Sequence, residues 1–378
     1  MEDNADKVAE HRHMENDDVL VQRVGQLGEI VLNRPQAMNA LNHGMVVAVA
    51  RALDSWEDND AVATILIRGA GERGLCAGGD IVTIYHDART GGNASEQFWR
   101  DEYHLNARIR RYSKPIVTLM DGVVLGGGVG ISAHASHRVV TERSRVGMPE
   151  TGIGFVPDVG GTFLLSRTPG ELGTHAALTG TMFSGADAIA MGLADHFVES
   201  ENVAELIAEL CERDASAAVA RFGQVPPPSA LMAQRKWIDD AYAADDVETI
   251  LARLSGLGIE EASKAAQTIA GKSPTAVTVT LAALRSARLM TSLEEGLDQD
   301  LRISLCALRW PDFAEGIRAQ LVDKDRNPAW HPDAFADVGA EVAAHAMADL
   351  GPEELGLGPN WEAQSRSSRT QDGLVGEQ

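Results

Sequence analysis

Cysteine is scarce in this chain of 378 residues: Cys76, Cys211 and Cys306 are the only three, and none is spaced as CxxC. That speaks against a disulfide framework and a zinc site, so no metal is expected and a reducing compartment fits best. Long apolar runs are missing as well. No stretch approaches the ~18 to 20 apolar residues of a membrane span, and no membrane partner is expected. Basic residues are few, 33 against 55 acidic ones, for a formal net charge of −22. Such a surface repels nucleic acid and anionic membranes, and an anionic ligand must find a local basic patch. The opening residues, MEDNADKVAEHRHMENDD, have neither an apolar signal core nor the acid-poor, Arg-rich composition of a transit peptide, which points to the cytoplasm.

What is present is a globular composition, 44% hydrophobic. The length suits a main domain of about 250 residues with a smaller element beside it. Residues 1–18 read as a flexible polar arm, and their HRH cluster is given no role. Val19 to Val24 and Glu29 to Leu32 flank the turn-prone GQLG and predict a hairpin; Asn39 to Glu57 looks helical. Ala63 to Arg68 is a continuous apolar run closed by glycine, as a buried parallel strand would be, and Ile116 to Met120 repeats the pattern. Strands alternating with helical stretches predict an α/β architecture for a core over 19–222. The chain turns helix-rich from about Glu201. After the loop GQVPPPS, Gly223 to Ser229, a helical region is expected over 223–350, and Gly351 onward, 351–378, reads as a disordered tail.

Two glycine turns carry the first chemical signal. CAGGD, Cys76 to Asp80, and LGGGVG, Leu125 to Gly130, each lie between a predicted strand and a helical stretch. Glycine lets backbone approach a ligand closely, and free N–H groups at a helix start favour developing negative charge. Two such turns, if they converge, make an oxyanion hole. Taken singly, each reads more simply as a tight turn. A dinucleotide fingerprint fails because Ile131 stands where its third glycine belongs, and no Gly-Lys-Ser/Thr follows to make a phosphate loop.

Two acids carry the second signal. MPETGIGFVPDVGGT, Met148 to Thr162, sets Glu150 and Asp158 eight residues apart among Gly, Pro and the apolar Ile153, Phe155 and Val156. Burial would raise both pKa values, and mutual repulsion would raise one further, leaving an acid and a base near neutral pH. The alternative is structural: Glu150 capping a turn, Asp158 an N-cap before Val159.

In combination and in order, NRPQAMNALN (Asn33 to Asn42), CAGGD, DGVVLGGGVG (Asp121 to Gly130) and MPETGIGFVPDVGG resemble the crotonase superfamily of acyl-CoA enzymes. The likeness runs from Val19 to Val198. It continues through SPTAV (Ser273 to Val277) and DFAEGIRAQLVDKDRNPAW (Asp312 to Trp330), where it is similar to the branch that hydrolyses 3-hydroxyisobutyryl-CoA in valine catabolism. The resemblance implies a spiral of ββα units with a helical C-terminal region completing the site. It implies a thioester oxygen held by the backbone N–H of Gly127 and of Ala77 or Gly78, with Gly79, Asp80 and Gly126 of the same turns binding the substrate. It implies that Glu102 contacts a distal hydroxyl of the acyl group; alone, Glu102 reads as a helix-surface acid. Arg34, Lys114, Lys324 and Arg326 become candidates for the CoA phosphates.

Hydratases of the superfamily use one glutamate just after the GGG turn and a second at the position of Glu150. Here the first position is Gly130, and Asp158 stands where hydratases usually have glycine. That exchange resembles the hydrolase pattern, with Glu150 as nucleophile or base and Asp158 managing protons. No cofactor is implied, since CoA belongs to the substrate, and a homo-oligomer is compatible with the pattern. The alternatives are an enoyl-CoA hydratase or isomerase on the same scaffold, or a catalytically idle acyl-CoA-binding protein.

Overall fold

The computed structural model describes Glu10–His11 and residues 17–357. Its strands are β1 (Glu10–His11), β2 (Val19–Val24), β3 (Leu27–Leu32), β4 (Thr64–Gly69), β5 (Gly74–Cys76), β6 (Ile116–Met120), β7 (Val123–Leu125), β8 (His137–Val140), β9 (Arg145–Gly147), β10 (Phe183–Ser184) and β11 (His196–Phe197). They form a seven-stranded sheet, β1-β2-β3-β4-β6-β8-β11, and a four-stranded sheet, β10-β9-β7-β5. Every residue of β3 is buried, as expected for a strand covered on both faces. Glu29 is tolerated within it because Arg68 pairs with it at 2.6 Å.

From β4 the chain repeats one move: a strand in the large sheet, a short strand in the small sheet, then a helix. β4, β6 and β8 are parallel neighbours in one sheet, and β5, β7 and β9 are parallel neighbours in the other. This is the α/β spiral of ββα units that the motifs imply.

Local chemistry moves several expected boundaries. The predicted helix at Asn39 starts instead at His43. Met38 and Asn39 have φ of 49° and 56°, and the Asn42 side chain accepts from Met45 N–H at 2.9 Å, a cap worth about 1 kcal/mol. The second hairpin strand begins at Leu27, leaving Gly25 at φ 61° to make the turn.

Beyond the loop at 223–229, helices Pro274–Ala287 and Leu293–Ala307 bury broad faces, each capped by the preceding serine, Ser273 and Ser292. The expected tail is packed at its start: Leu355 and Leu357 are buried, and Arg100 donates to the Glu353 carbonyl at 2.8 Å. Apolar surface of two leucines explains the docking. The remainder of the tail, and most of the polar arm with Arg12 and His13, lie outside the described residues. Glu10 and His11 of that arm pair with β2. Among the described residues no helix is long and apolar enough to cross a membrane.

Candidate active site

Parallel strands in register end together, and that fact assembles the site. β5 and β7 pair Cys76 with Val124, and β7 and β9 pair Leu125 with Gly147. Their C-terminal ends therefore release CAGGD, LGGGVG and MPE side by side, where ligands bind in α/β sheets. The loops enclose a cavity of about 340 Å³ lined by both glycine turns, Glu102, Glu150 and Asp158.

Both glycine turns present N–H groups. Gly127 opens helix Gly127–Ser132, and its N–H meets no acceptor among the described residues. On the other turn, Ala77 N–H is bonded to the Met38 carbonyl at 3.0 Å, whereas Gly78 N–H has only the Cys76 sulfur at 3.4 Å. Ala77 N–H is thereby engaged, which leaves as available donors Gly78 and the adjacent Gly79, whose N–H meets no acceptor among the described residues and lies 3.4 Å from where a methyl group at Gly127 would sit. Gly78 has φ 108°, a conformation side chains rarely adopt. Cys76 itself is fully buried, which pushes its thiol up to about 12 and disfavours the thiolate that a nucleophile needs.

Acids approach the GGG turn from two sides. A methyl group at Gly126 would sit 2.6 Å from Glu150 Oε1, and one at Gly127 would sit 2.7 Å from Glu102 Oε1. Glu150 begins a short 3-10 turn, Glu150–Ile153, at the end of β9. Glu102 lies on helix Ala94–Arg111, whose buried face includes Phe98, Trp99, Tyr103 and Leu105; it is an inward residue, not the surface acid its type suggests. Asp158 is not an N-cap either, because Gly160 holds that place for helix Gly161–Leu165. The Asp158 carboxylate accepts from Tyr103 Oη at 2.8 Å.

All three acids are 7% exposed or less. Burial pushes Glu150 well above the usual carboxylate range, the charge of Asp158 adds to the rise, and Lys272 opposes it. Glu102 is raised by burial and then by Asp158. Asp158 is pushed up to about 7 by burial, with the Tyr103 hydrogen bond opposing. Glu102 Oε1 and Glu150 Oε2 have no hydrogen-bond partner among the described residues. Buried acceptors without partners cost about 1–3 kcal/mol each, a cost that a bound ligand relieves.

One strained residue separates this site from a two-glutamate design. Val159 has φ 53°, a left-handed conformation that costs a β-branched residue about 1–3 kcal/mol. Its side chain lies over Gly130, where an added Cβ would meet Val159 Cβ at 2.6 Å. The position after the GGG turn is physically filled. His134 Nε2 lies 2.8 Å from the Val159 carbonyl, and Asp300 accepts from Gly160 N–H and Thr162 Oγ1, each at 2.8 Å.

The family model for enoyl-CoA hydratase/isomerase matches residues 27–347. This chain belongs to that family. Among its crotonase relatives, 3-hydroxyisobutyryl-CoA hydrolase, mitochondrial, of Danio rerio is 38% identical, covering 92% of this chain and 94% of the relative. The Homo sapiens protein of the same name is 35% identical, covering 90% of each. Two solved structures share the fold closely. A carnitinyl-CoA dehydratase from Mycobacterium thermoresistibile has TM-score 0.88 and 50% identity over 91% of this chain and 100% of that one. An enoyl-CoA hydratase from Rhodobacter sphaeroides 2.4.1 has TM-score 0.86 and 39% identity over 90% and 100%. The hydrolase relatives are mitochondrial by name, so they lend no support to the expected cytoplasmic location.

Not every residue suggested by the crotonase motifs faces the cavity. Gly79 and Gly126 line it, but Asp80 precedes helix Ile81–Thr90 and accepts from Arg34 at 3.2 Å. Arg34 also donates to the Ala40 carbonyl at 2.7 Å, so it braces the turn instead of awaiting a phosphate. Lys114 is likewise engaged, donating to the Trp56 and Asn59 carbonyls at 2.5 and 2.7 Å. Lys324 and Arg326 are exposed and follow the cavity-lining Gln320 and Leu321. Lys272 was not anticipated: it lines the cavity beside Glu150, and its place directly before SPTAV was the available signal. Trp99 and Phe155, stacked at 5.6 Å, complete the apolar wall. Among the described residues no cluster of His, Cys, Asp and Glu has the arrangement to hold a metal ion.

Proposed function

We propose that this protein hydrolyses a short branched hydroxyacyl-CoA thioester, 3-hydroxyisobutyryl-CoA, releasing 3-hydroxyisobutyrate and CoA, as in valine catabolism. The observation that carries the reading is the exchange of acids: Val159 fills the space over Gly130, while Asp158 enters the cavity lined by Glu150. The names of the curated relatives support it.

In this reading the thioester oxygen accepts from Gly127 N–H and from the N–H of Gly78 or Gly79, donors that do not titrate and are set before reaction. Glu150 takes a proton from water, whose oxygen adds to the carbonyl carbon. The tetrahedral oxyanion collapses, the C–S bond breaks, and the thiolate takes up a proton through Asp158. Direct attack by Glu150 would instead form a mixed anhydride that water opens. The unpartnered Glu102 Oε1 is suited to the hydroxyl of the acyl group. Lys324 and Arg326 are retained for the CoA phosphates, and a reducing compartment such as the cytoplasm belongs to the same reading.

The dehydratase and hydratase named among the solved structures favour a second reading, addition or removal of water at a double bond. The two are separated by incubating the protein with 3-hydroxyisobutyryl-CoA and, separately, with a short enoyl-CoA. Free CoA from the first alone supports hydrolysis. Loss of the double bond without CoA release supports hydration.

A further inference from the structure

Asp158 is embedded in buried polar groups that the reaction itself does not use. Tyr103 is fully buried and its one hydroxyl proton goes to Asp158 Oδ2 at 2.8 Å. Ser304 Oγ lies 2.8 Å from the same tyrosine oxygen. A phenol has a single proton to give, so Ser304 must be the donor in that contact. The order is Ser304 to Tyr103 to Asp158, a chain in which each donor polarises the next. Asp300 lies four residues before Ser304 on helix Leu293–Ala307 and hence on the same face. It grips Gly160 N–H and Thr162 Oγ1 immediately beyond Asp158.

We propose that one face of helix Leu293–Ala307 is a positioning device for Asp158. Ser304 acts on the carboxylate through Tyr103, and Asp300 holds the strained turn that carries it. The C-terminal region thereby sets both the direction and the proton affinity of a catalytic group contributed by the spiral core. This inference rests on the hydrolytic reading of Asp158 given above. The strain at Val159 supports it: a left-handed β-branched residue persists only where its surroundings over-determine it. Three bonds do so here, from His134 to its carbonyl and from Gly160 and Thr162 to Asp300.

The charged groups facing Asp158 are Glu102 from helix Ala94–Arg111, Glu150 from its 3-10 turn and Asp300 from helix Leu293–Ala307; Lys272 faces Glu150. All three charged neighbours of Asp158 are acids, so its ionised form is favoured first by the Tyr103 donor and then by a backbone N–H. Removing the Tyr103 donor raises its proton affinity.

The test uses the full chain, 3-hydroxyisobutyryl-CoA as substrate and released CoA as the readout. Tyr103→Phe keeps the ring and deletes one hydroxyl. The expected result is a kcat about tenfold or more lower, with KM within about twofold, and the ionisation near neutral pH moved upward by about one pH unit. Ser304→Ala should move the profile the same way by less. Melting temperatures are read alongside, and if Tyr103→Phe does not fold, Ser304→Ala carries the test. An unmoved pH profile in the folded variant overturns the positioning role. Normal hydrolysis by Asp158→Asn is a separate outcome, since it removes the catalytic role of Asp158 itself.

Discussion

At the scale of single residues, the site is a set of carboxyls kept in unfavourable surroundings for chemical use. Glu150, Asp158 and Glu102 are all raised by burial, and Asp158, pushed up to about 7, can hold or release a proton near neutral pH. Glu150→Gln preserves shape and removes base and nucleophile together. It should lower CoA release by about 10² to 10⁴-fold. Stability should move oppositely. Because Asp158 keeps its proton up to about pH 7 when folded and to about 3.9 when unfolded, the folded chain binds the extra proton in that window. Its contribution to stability therefore falls as pH rises through the window. Asp158→Asn has no such penalty, so its melting temperature relative to wild type should climb from pH 4 to pH 7 and then level off; a constant difference would contradict the raised pKa. Sequence made Glu150 and Asp158 visible, through two acids in a Gly- and Pro-rich loop. It left Ala77 and Gly78 unresolved, because the choice depends on the Met38 carbonyl, nearly forty residues upstream.

At the scale of elements, three-residue strands do most of the placement. β5, β7 and β9 are too short to show a hydrophobic period, so the sequence predicted only the longer strands beside them. Glu102 was more legible than its residue type implied. Positions 98, 99, 102, 103, 105, 106 and 109 fall on one buried stripe of helix Ala94–Arg111, and an acid within such a stripe faces inward. The conformation of Val159 could not be read at all, since a β-branched residue is among the last expected at positive φ. Its consequence is testable. Gly130→Glu restores the acid common in hydratases, yet the new side chain meets Val159. We expect a lower melting temperature, by an overpacking cost of about 1–3 kcal/mol, and no gain of hydration measured by loss of an enoyl-CoA double bond. A stable, hydrating variant would show that Val159 is no barrier.

At the scale of the whole molecule, the proposed hydrolysis requires a chain of net charge −22 to receive a substrate carrying several phosphates. Arg34 and Lys114 are engaged in holding backbone, so of the four basic residues suggested by the motifs Lys324 and Arg326, which are exposed, remain as the proposed phosphate contacts. Replacing both with Ala should raise KM several-fold with kcat unchanged, and added salt should shrink the difference; equal KM values at low salt would remove them from the CoA site. The spiral and the helical C-terminal region meet at Asp158, through Asp300 and Ser304. The sequence separated these regions but gave no sign that the second supports the first, because contacts 140 and 201 residues apart leave no local pattern.

In the proposed hydrolysis, Asp158 is the residue that turns a water-adding scaffold into one that cleaves thioesters. The most direct measurement is CoA release from 3-hydroxyisobutyryl-CoA by wild type and by Asp158→Gly, with substrate binding measured on the same preparations. Binding retained with hydrolysis lost is the expected result. Turnover by Asp158→Gly equal to wild type would contradict that role.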